Sequence, residues 1–410
     1  MEKEETILSL DIGTNSVHGI LAKYDRENSK VEVLSANTYN SNGIKDGAII
    51  AIQDAEYTIE KFFTEAEKDF NISELSSLLC AVRGSLIEVF NASTRLKIAE
   101  DYEAEVTEDT IADIINRIEE TKKIDENKEI VEIIPQQYKL DEQEVQDPIG
   151  MSGKYLELTA LIVVGTKSNM TNIRKSAMDP LLRYGYNALG NTLVSKDDKD
   201  LGCILVDIGG MTTGVVVYIE GKIKCSFELN FGSDYVTRDI IKKLKISQKE
   251  AKNIKEKYGV ILEDLISETE NAEFEYSVTN GKKQIFTKRQ LVDVIKPQID
   301  LQLEQLSKSF KEKNIRVDEY VGGFILTGGG SLLCGMAEAF EKYFNTVAKI
   351  ANFTDDDIIC ADSSIINSQL YTTALAIIKN ESRNLVSKPK GRKSGAGLGE
   401  KIKKFFEGLS

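Results

Sequence analysis

The sequence predicts an α/β fold made of two similar halves, with a small α+β unit inserted and an amphipathic helix at the C-terminal end. Three observations predict it. An apolar strand ending in Asp-Ile-Gly, a small polar turn and a second apolar strand occur twice, as SLDIGTNSVHGIL and LVDIGGMTTGVVV, with Asp11 and Asp207 196 residues apart. Strand-like and helical periodicities alternate along the chain, as they do in α/β folds. At 410 residues with 41% hydrophobic side chains, the chain has material for two to four compact units.

Residues 5–24 read as two strands, ETILSL and VHGILAKY, because β-branched and apolar residues flank a Gly-Thr-Asn-Ser turn. Residues 54–70 read as an amphipathic helix capped by Asp54. From 78 to 164 the strands LLCAVRG, VEIIPQQYKL and YLELTALIVVG surround one helix, EDTIADIINRIEETKKI, and read as an inserted unit. Residues 168–186 read as a helix, after which CILVDIGGMTTGVVVYIEGKI repeats the opening hairpin. Asp11 to Gly19 spans eight residues in the first copy, and Asp207 to Gly214 spans seven in the second. Residues 234–310 are charged and helix-rich around a hairpin, SVTNGKKQIFT, with Asn280-Gly281 at its turn. GGFILTGGGSLLCGMAEAFEKYF then reads as strand, glycine turn and helix, and residues 364–379 as a closing helix. From 381 to 396 apolar periodicity is lost in a basic linker. Over residues 397–410 it returns: Leu398, Ile402, Phe405 and Leu409 form one helical stripe with Phe406 beside it, and Lys401, Lys403 and Lys404 surround it.

Composition narrows the function classes. The net charge of −14 argues against nucleic acid as a partner. The charge is uneven: residues 381–410 hold eight Lys/Arg and three Glu, so an acidic body carries a basic tail. No apolar run approaches the length of a membrane span, and the acidic start is unlike a signal peptide, so a cytoplasmic protein is expected. The five cysteines, Cys80, Cys203, Cys225, Cys334 and Cys360, form no CxxC pair and are odd in number; they read as reduced core thiols, not disulfides or zinc ligands. The one histidine, His18, lies in a strand-like run and reads as a sheet residue.

Chemistry concentrates in three glycine turns that follow apolar strands: 11–16, 207–213 and 326–333. Backbone N–H groups in such turns can converge on an anion. The hydroxyls of Thr14, Ser16, Thr212 and Thr213 add donors, beside Gly13, Asn15, Gly209, Gly210 and Met211. Asp11 and Asp207 would repel a bare phosphate, so they are expected to face a hard cation such as Mg²⁺, through water. In the third turn Gly328, Gly329, Gly330 and Ser331 lead towards a helix, a geometry suited to a nucleotide's sugar or inner phosphate. Taken singly, each is an ordinary turn. Neither a P-loop nor a GxGxxG fingerprint is present.

Taken together, DIGT, DIGGMTT and LTGGGS resemble the two phosphate segments and the adenosine segment of the actin-like ATPase superfamily. Within it, IIPQQYKLDEQEVQDPIGMSGKYLEL (133–158), FGSDYVTRDI (231–240) and the amphipathic end resemble the FtsA family of bacterial cell-division proteins. The resemblance covers essentially the whole chain. It implies an actin-like, ribonuclease H-like duplicated fold with four subdomains: 1–79, 165–195 and 363–380 for the first half; 80–164 for the small insertion; 196–233 and 323–362 for the second half; and 234–322 for a helix-rich insertion. It also implies ATP with Mg²⁺ between the halves, Gly232 lining the site, Lys252 near the ribose and Lys255 near adenine. Met211, Lys252 and Gln298 depart from the family pattern at positions usually held by Gly, Glu and Arg. The resemblance further implies that Lys282, Lys283, Lys288, Arg289 and Gln298 help to grasp the C-terminal peptide of FtsZ. It implies self-assembly, with the small insertion as a contact, and a peripheral place on the cytoplasmic face of the membrane at the division site, held by residues 397–410. The segment just before the second phosphate turn, LLRYGYNALGNTLVSKDDKDLG (181–202), holds no glutamine to place a water, so catalytic residues stay unassigned and any ATPase activity is expected to be slow. The alternatives are a small-molecule kinase of the superfamily and an actin-like pilus or shape adaptor.

Overall fold

The computed structural model describes residues 4–69, 75–99, 103–267, 273–277, 283–353 and 357–387. Glu4–Ile12 (β1), Ser16–Asp25 (β2), Lys30–Asn40 (β3), Ser77–Val82 (β4) and Leu181–Tyr184 (β5) form the first large sheet, in the order β5-β4-β1-β2-β3, with Ile358–Cys360 added beside β3. Cys203–Ile208 (β6), Thr213–Ile219 (β7), Lys222–Leu229 (β8), Phe324–Thr327 (β9) and Ala348–Ile350 (β10) form the second, in the order β8-β7-β6-β9-β10. The directions match as well. In each sheet the first three strands are an antiparallel meander, and the last two run parallel to the first. The duplication seen in the two DIG hairpins therefore extends over five strands per half.

Central strands are apolar along most of their length because helices cover the sheets; Cys203–Ile208 is buried at every position. The helix Thr372–Ser387 places Ala374, Leu375, Ala376, Ile377 and Ile378 in one apolar cluster with Ile7 of β1, Leu79 of β4, Leu205 of β6 and Ile325 of β9. That shared core joins the two halves behind the cleft.

The first insertion is a four-stranded antiparallel sheet, Gln143–Val145, Lys128–Leu140, Tyr155–Thr166 and Ile87–Lys97 in spatial order, with the helix Glu108–Thr121 packed on it. Thr107 caps that helix in a reciprocal pair with Thr110. In the second insertion, the hairpin strands Glu273–Ser277 and Lys283–Thr287 lead into the long helix Lys288–Glu312.

Several readings change. The strand read over 78–84 as part of the inserted unit is instead β4, hydrogen-bonded between β1 and β5 in the first large sheet. The helix read over 168–186 is two helices, Lys167–Ser176 and Gly185–Leu193, separated by β5. Met178 and Asp179 take positive φ before Pro180, which cannot continue a helix, so the chain reverses and enters the sheet. Asp54 lies inside the first turn of Ile52–Asp69 rather than capping it. The closing helix splits into Ser363–Ile366 and Thr372–Ser387, and the latter carries helix through residues 381–387, read above as linker. All five cysteines are free, but only Cys80 and Cys203 are buried; Cys334 is exposed. The amphipathic segment 397–410 lies outside the described residues, as do Lys282 and the Asn280-Gly281 turn.

Candidate functional site

The two DIG hairpins are alike in length as well as in sequence. Gly13 N–H donates to Ser16 O at 3.1 Å, and Gly209 N–H donates to Thr212 O at 2.9 Å, closing four-residue turns. Asp11 pairs with His18, and Asp207 with Gly214. The equivalent of Gly214 is thus His18 and not Gly19, so the one-residue difference read from the sequence disappears. His18 lies in β2 with its ring nitrogens 2.9 Å from Ser16 Oγ and 2.9 Å from Thr38 Oγ1. Thr14 Oγ1 accepts from Asp46 N–H at 3.0 Å, and Thr213 Oγ1 donates to Phe231 O at 2.8 Å, so these two hydroxyls tie the turns to their surroundings.

Asp11 and Asp207 are both buried, and one side chain joins them. The guanidinium of Arg83 donates through Nη2 to both carboxylate oxygens of Asp11, at 2.6 and 2.5 Å, and through Nη1 to Asp207 Oδ2 at 2.5 Å. Burial works against the charge on Arg83, but the carboxylates of Asp11 and Asp207 outweigh it and raise its pKa above the ordinary value. Burial also lifts the Asp207 carboxyl, with Arg83 pulling the other way. Arg83 follows β4 directly. The next residue, Gly84, has φ +111°, and a side chain there would meet the backbone of Asp46. Gly84 N–H donates to Glu228 Oε2 at 2.6 Å, bringing β8 of the second half against the same corner. Burial raises the pKa of Glu228, with hydrogen bonding and Arg83 lowering it.

Arg83 was missed in the sequence because no turn motif marks it. The signal lies in the duplication. β4 pairs with β1 as β9 pairs with β6, aligning Ala81 with Thr327, so Arg83 occupies the place that Gly329 holds in the third glycine turn. There, Gly328 has φ +82° beside Asp207, and Ser331 Oγ donates to Gly328 O at 2.7 Å. A Cβ on Gly329 would meet no atom within 4 Å, so its outer side is open. Gly330 packs against Ile208.

The second half supplies the remaining wall. Gly232 has no room for a side chain because the carbonyls of Gly209 and Gly210 lie against it. Ser233 N–H and Asp234 N–H donate back to those carbonyls, seating the helix Ser233–Leu244 on the turn. Asn15 Nδ2 donates to Asp234 Oδ1 at 3.0 Å, a polar bridge from the first phosphate turn to the second half. Lys255 is buried, with Nζ donating to Ser233 O at 3.1 Å; burial lowers its pKa and Asp234 opposes the shift. Lys252 is exposed beside Glu256, yet its charge acts on His18 across the cleft. Met211 Sδ lies 3.1 Å from Arg238 Nη2. The three glycine turns, Gly232 and Lys255 therefore meet around one cleft.

The residues read as partner contacts stand apart from it. Lys283 pairs with Glu275 at 2.6 Å, and Arg289 lies 3.6 Å from Glu263, on the second insertion. Lys288 and Gln298 are half-buried on the long helix.

The fit of a divalent cation between Asp11 and Asp207 can be judged from the donor set. Three of the four carboxylate oxygens already accept from a guanidinium, and among the described residues no three His, Cys, Asp or Glu cluster as a metal site. As these side chains stand, they do not fit Mg²⁺ ligated directly between the two aspartates, and Asp207 Oδ1 is the one oxygen of the four with no guanidinium contact to receive an ion held through water.

Two sheets of this order, facing each other across a cleft and joined behind it by a closing helix, define an actin-like fold. Solved structures of that architecture are similar to the chain. They include the PilM-PilN type IV pilus biogenesis complex (TM-score 0.61, 15% identity, 93% of this chain and 99% of that one). MreB5 of Spiroplasma citri bound to ADP is another (TM-score 0.54, 14% identity, 94% and 99%). Among sequence families, the profile described as Cell division protein FtsA matches residues 204–376, and that described as SHS2 domain inserted in FTSA matches residues 84–164. The chain belongs to the FtsA family of cell division proteins. Relatives of that name include those of Bacillus subtilis (26% identical, 98% of this chain and 88% of the relative) and Neisseria meningitidis serogroup B (27% identical, 99% of each).

Proposed function

We propose that this chain binds ATP in the cleft between its two halves, assembles with copies of itself, and holds FtsZ filaments against the cytoplasmic face of the membrane at the division site. One observation carries the nucleotide reading. Two equivalent hairpins and a third glycine turn, drawn from both halves, converge on one buried charged centre, and the third turn is open at Gly329. Backbone N–H groups of such turns suit phosphates, and Lys255 beside the helix Ser233–Leu244 suits the base side. MreB5 of S. citri, which shares the fold, was solved with ADP and with AMPPNP. Family membership supports the FtsZ and membrane roles. With no positioned water-activating group identified, the nucleotide serves mainly as a conformational ligand that sets the closure of the halves.

Calorimetric titration with ATP tests the site. Gly329→Val adds a branched side chain into open space, so folding is retained while the nucleotide is obstructed. Affinity should fall about tenfold or more, equivalent to roughly 1.4 kcal/mol. Unchanged affinity would remove the third turn from the site.

A further inference from the structure

We propose that Arg83 is a built-in cation of the nucleotide cleft: its guanidinium takes the charge-neutralising place between Asp11 and Asp207, so that ATP binds without a divalent ion held by that pair. The proposal rests on the nucleotide reading above and deepens it.

Two buried carboxylates facing a phosphate site need positive charge between them. In this chain a covalently attached group supplies it. The Asp11 and Asp207 side chains are 4% and 6% exposed, and the Arg83 side chain that bridges them is 20% exposed. A magnesium ion ligated directly by the same pair would need carboxylate oxygens at about 2.0–2.1 Å, and one held through its waters would compete with the guanidinium for the same oxygens. Either would have to displace the guanidinium or lie against a like charge. Arg83 has five N–H donors in a fixed fork, and the two carboxylates engage only its terminal nitrogens, so the same side chain can also donate to an arriving phosphate.

The placement is also asymmetric within the duplication. Arg83 and Gly329 occupy equivalent positions after equivalent strands, one filling its side of the cleft with charge and the other leaving its side open. The backbone holds Arg83 there. A side chain on Gly47 would strike the Arg83 carbonyl, and one on Gly84 would strike Asp46, so the loop around residues 44–49 presses directly on the strand end that presents Arg83.

The test is ATP binding by the full chain, measured calorimetrically with excess magnesium and again with excess EDTA. The affinity of the parent should change less than about threefold between the two, whereas Arg83→Ser should lose about tenfold or more in EDTA. Magnesium alone, without nucleotide, should raise the Tm of Arg83→Ser and leave that of the parent unchanged, because only the variant has a vacant carboxylate pair. If the parent binds ATP only with magnesium, the proposal is overturned while the nucleotide reading stands. If it binds ATP under neither condition, both are overturned. An Arg83→Ser variant as indifferent to EDTA as the parent, or a parent whose Tm rises with magnesium, also overturns the proposal. Should Arg83→Ser fail to fold, the parent titrations and melts decide alone.

Discussion

His18 is the chain's only histidine, and its ring is held between Ser16 Oγ and Thr38 Oγ1 in a buried position. Burial lowers its pKa, Asp11 opposes the shift, and Arg83 and Lys252 add to it. The folded chain therefore binds fewer protons at this ring than the unfolded chain does near pH 6.5. Its contribution to stability is complete above the unfolded value and is lost as pH falls from about 6.5 through the folded pKa, with a slope of at most about 1.4 kcal/mol per pH unit. His18→Gln should abolish that acid-side loss in urea melts compared at about pH 7 and about pH 5.5. In the parent, the single imidazole Cε1 proton should titrate below the ordinary value; a midpoint at or above it would remove His18 from the buried, neutral state. At this scale Asp11 and Asp207 were legible because the same tripeptide ends two strands. Arg83 was not, because its role depends on a strand end meeting two carboxylates 72 and 124 residues away. Removing it would leave both carboxylates unpaired, a loss of about 3–5 kcal/mol for a buried pair.

Elements were legible where periodicity and turn chemistry agreed, as in the DIG hairpins and the strand, turn and helix around the third glycine motif. They were not legible where tertiary pairing overrode local pattern. Residues 181–184 continue an apolar run that reads as helix, yet after Pro180 they add a parallel edge to β4. The long helix Lys288–Glu312 shows the opposite case, since its start is marked by a capping box between Thr287 and Gln290. Its first turn holds no acidic residue and begins with Lys288 and Arg289, cations at the positive end of the helix dipole. Local helix energetics do not account for that choice, and we propose attraction to an acidic peptide as its reason. Replacing both by Glu should raise helix stability by about 0.3–1 kcal/mol per residue. The exposed Arg289–Glu263 pair lost in the exchange contributes little against that gain. The same double variant should bind the FtsZ C-terminal peptide several-fold more weakly, with the loss shrinking at high salt. Fluorescence anisotropy reads the affinity and a thermal melt reads the stability; unaltered affinity in a stabilised variant would take this cluster out of the interface.

At the scale of the whole molecule, the contacts that join the halves include the apolar cluster around Thr372–Ser387, Arg83 between Asp11 and Asp207, Asn15 on Asp234 and Gly84 on Glu228. Among the described residues no helix is long and apolar enough to cross a membrane. Attachment is proposed for residues 397–410, which lie outside the described residues and are argued from sequence alone. Their apolar stripe of Leu398, Ile402, Phe405 and Leu409, with Phe406, is flanked by Lys401, Lys403 and Lys404, a pattern suited to lying in an anionic surface. Full burial of one large apolar side chain is worth roughly 1.5–3 kcal/mol. Five partly buried ones, less the cost of ordering the segment, leave a single copy weakly bound. Assembly multiplies that attachment, because many tails then share one surface and each later contact is effectively intramolecular. Membrane attachment and self-assembly should accordingly be coupled. The double variant Phe405→Asp, Phe406→Asp removes two anchors and adds two charges that anionic headgroups repel. It should leave ATP affinity unchanged while its co-sedimentation with anionic liposomes falls to the level of the free protein. Co-sedimentation equal to that of the parent would show that the anchor lies elsewhere in the chain.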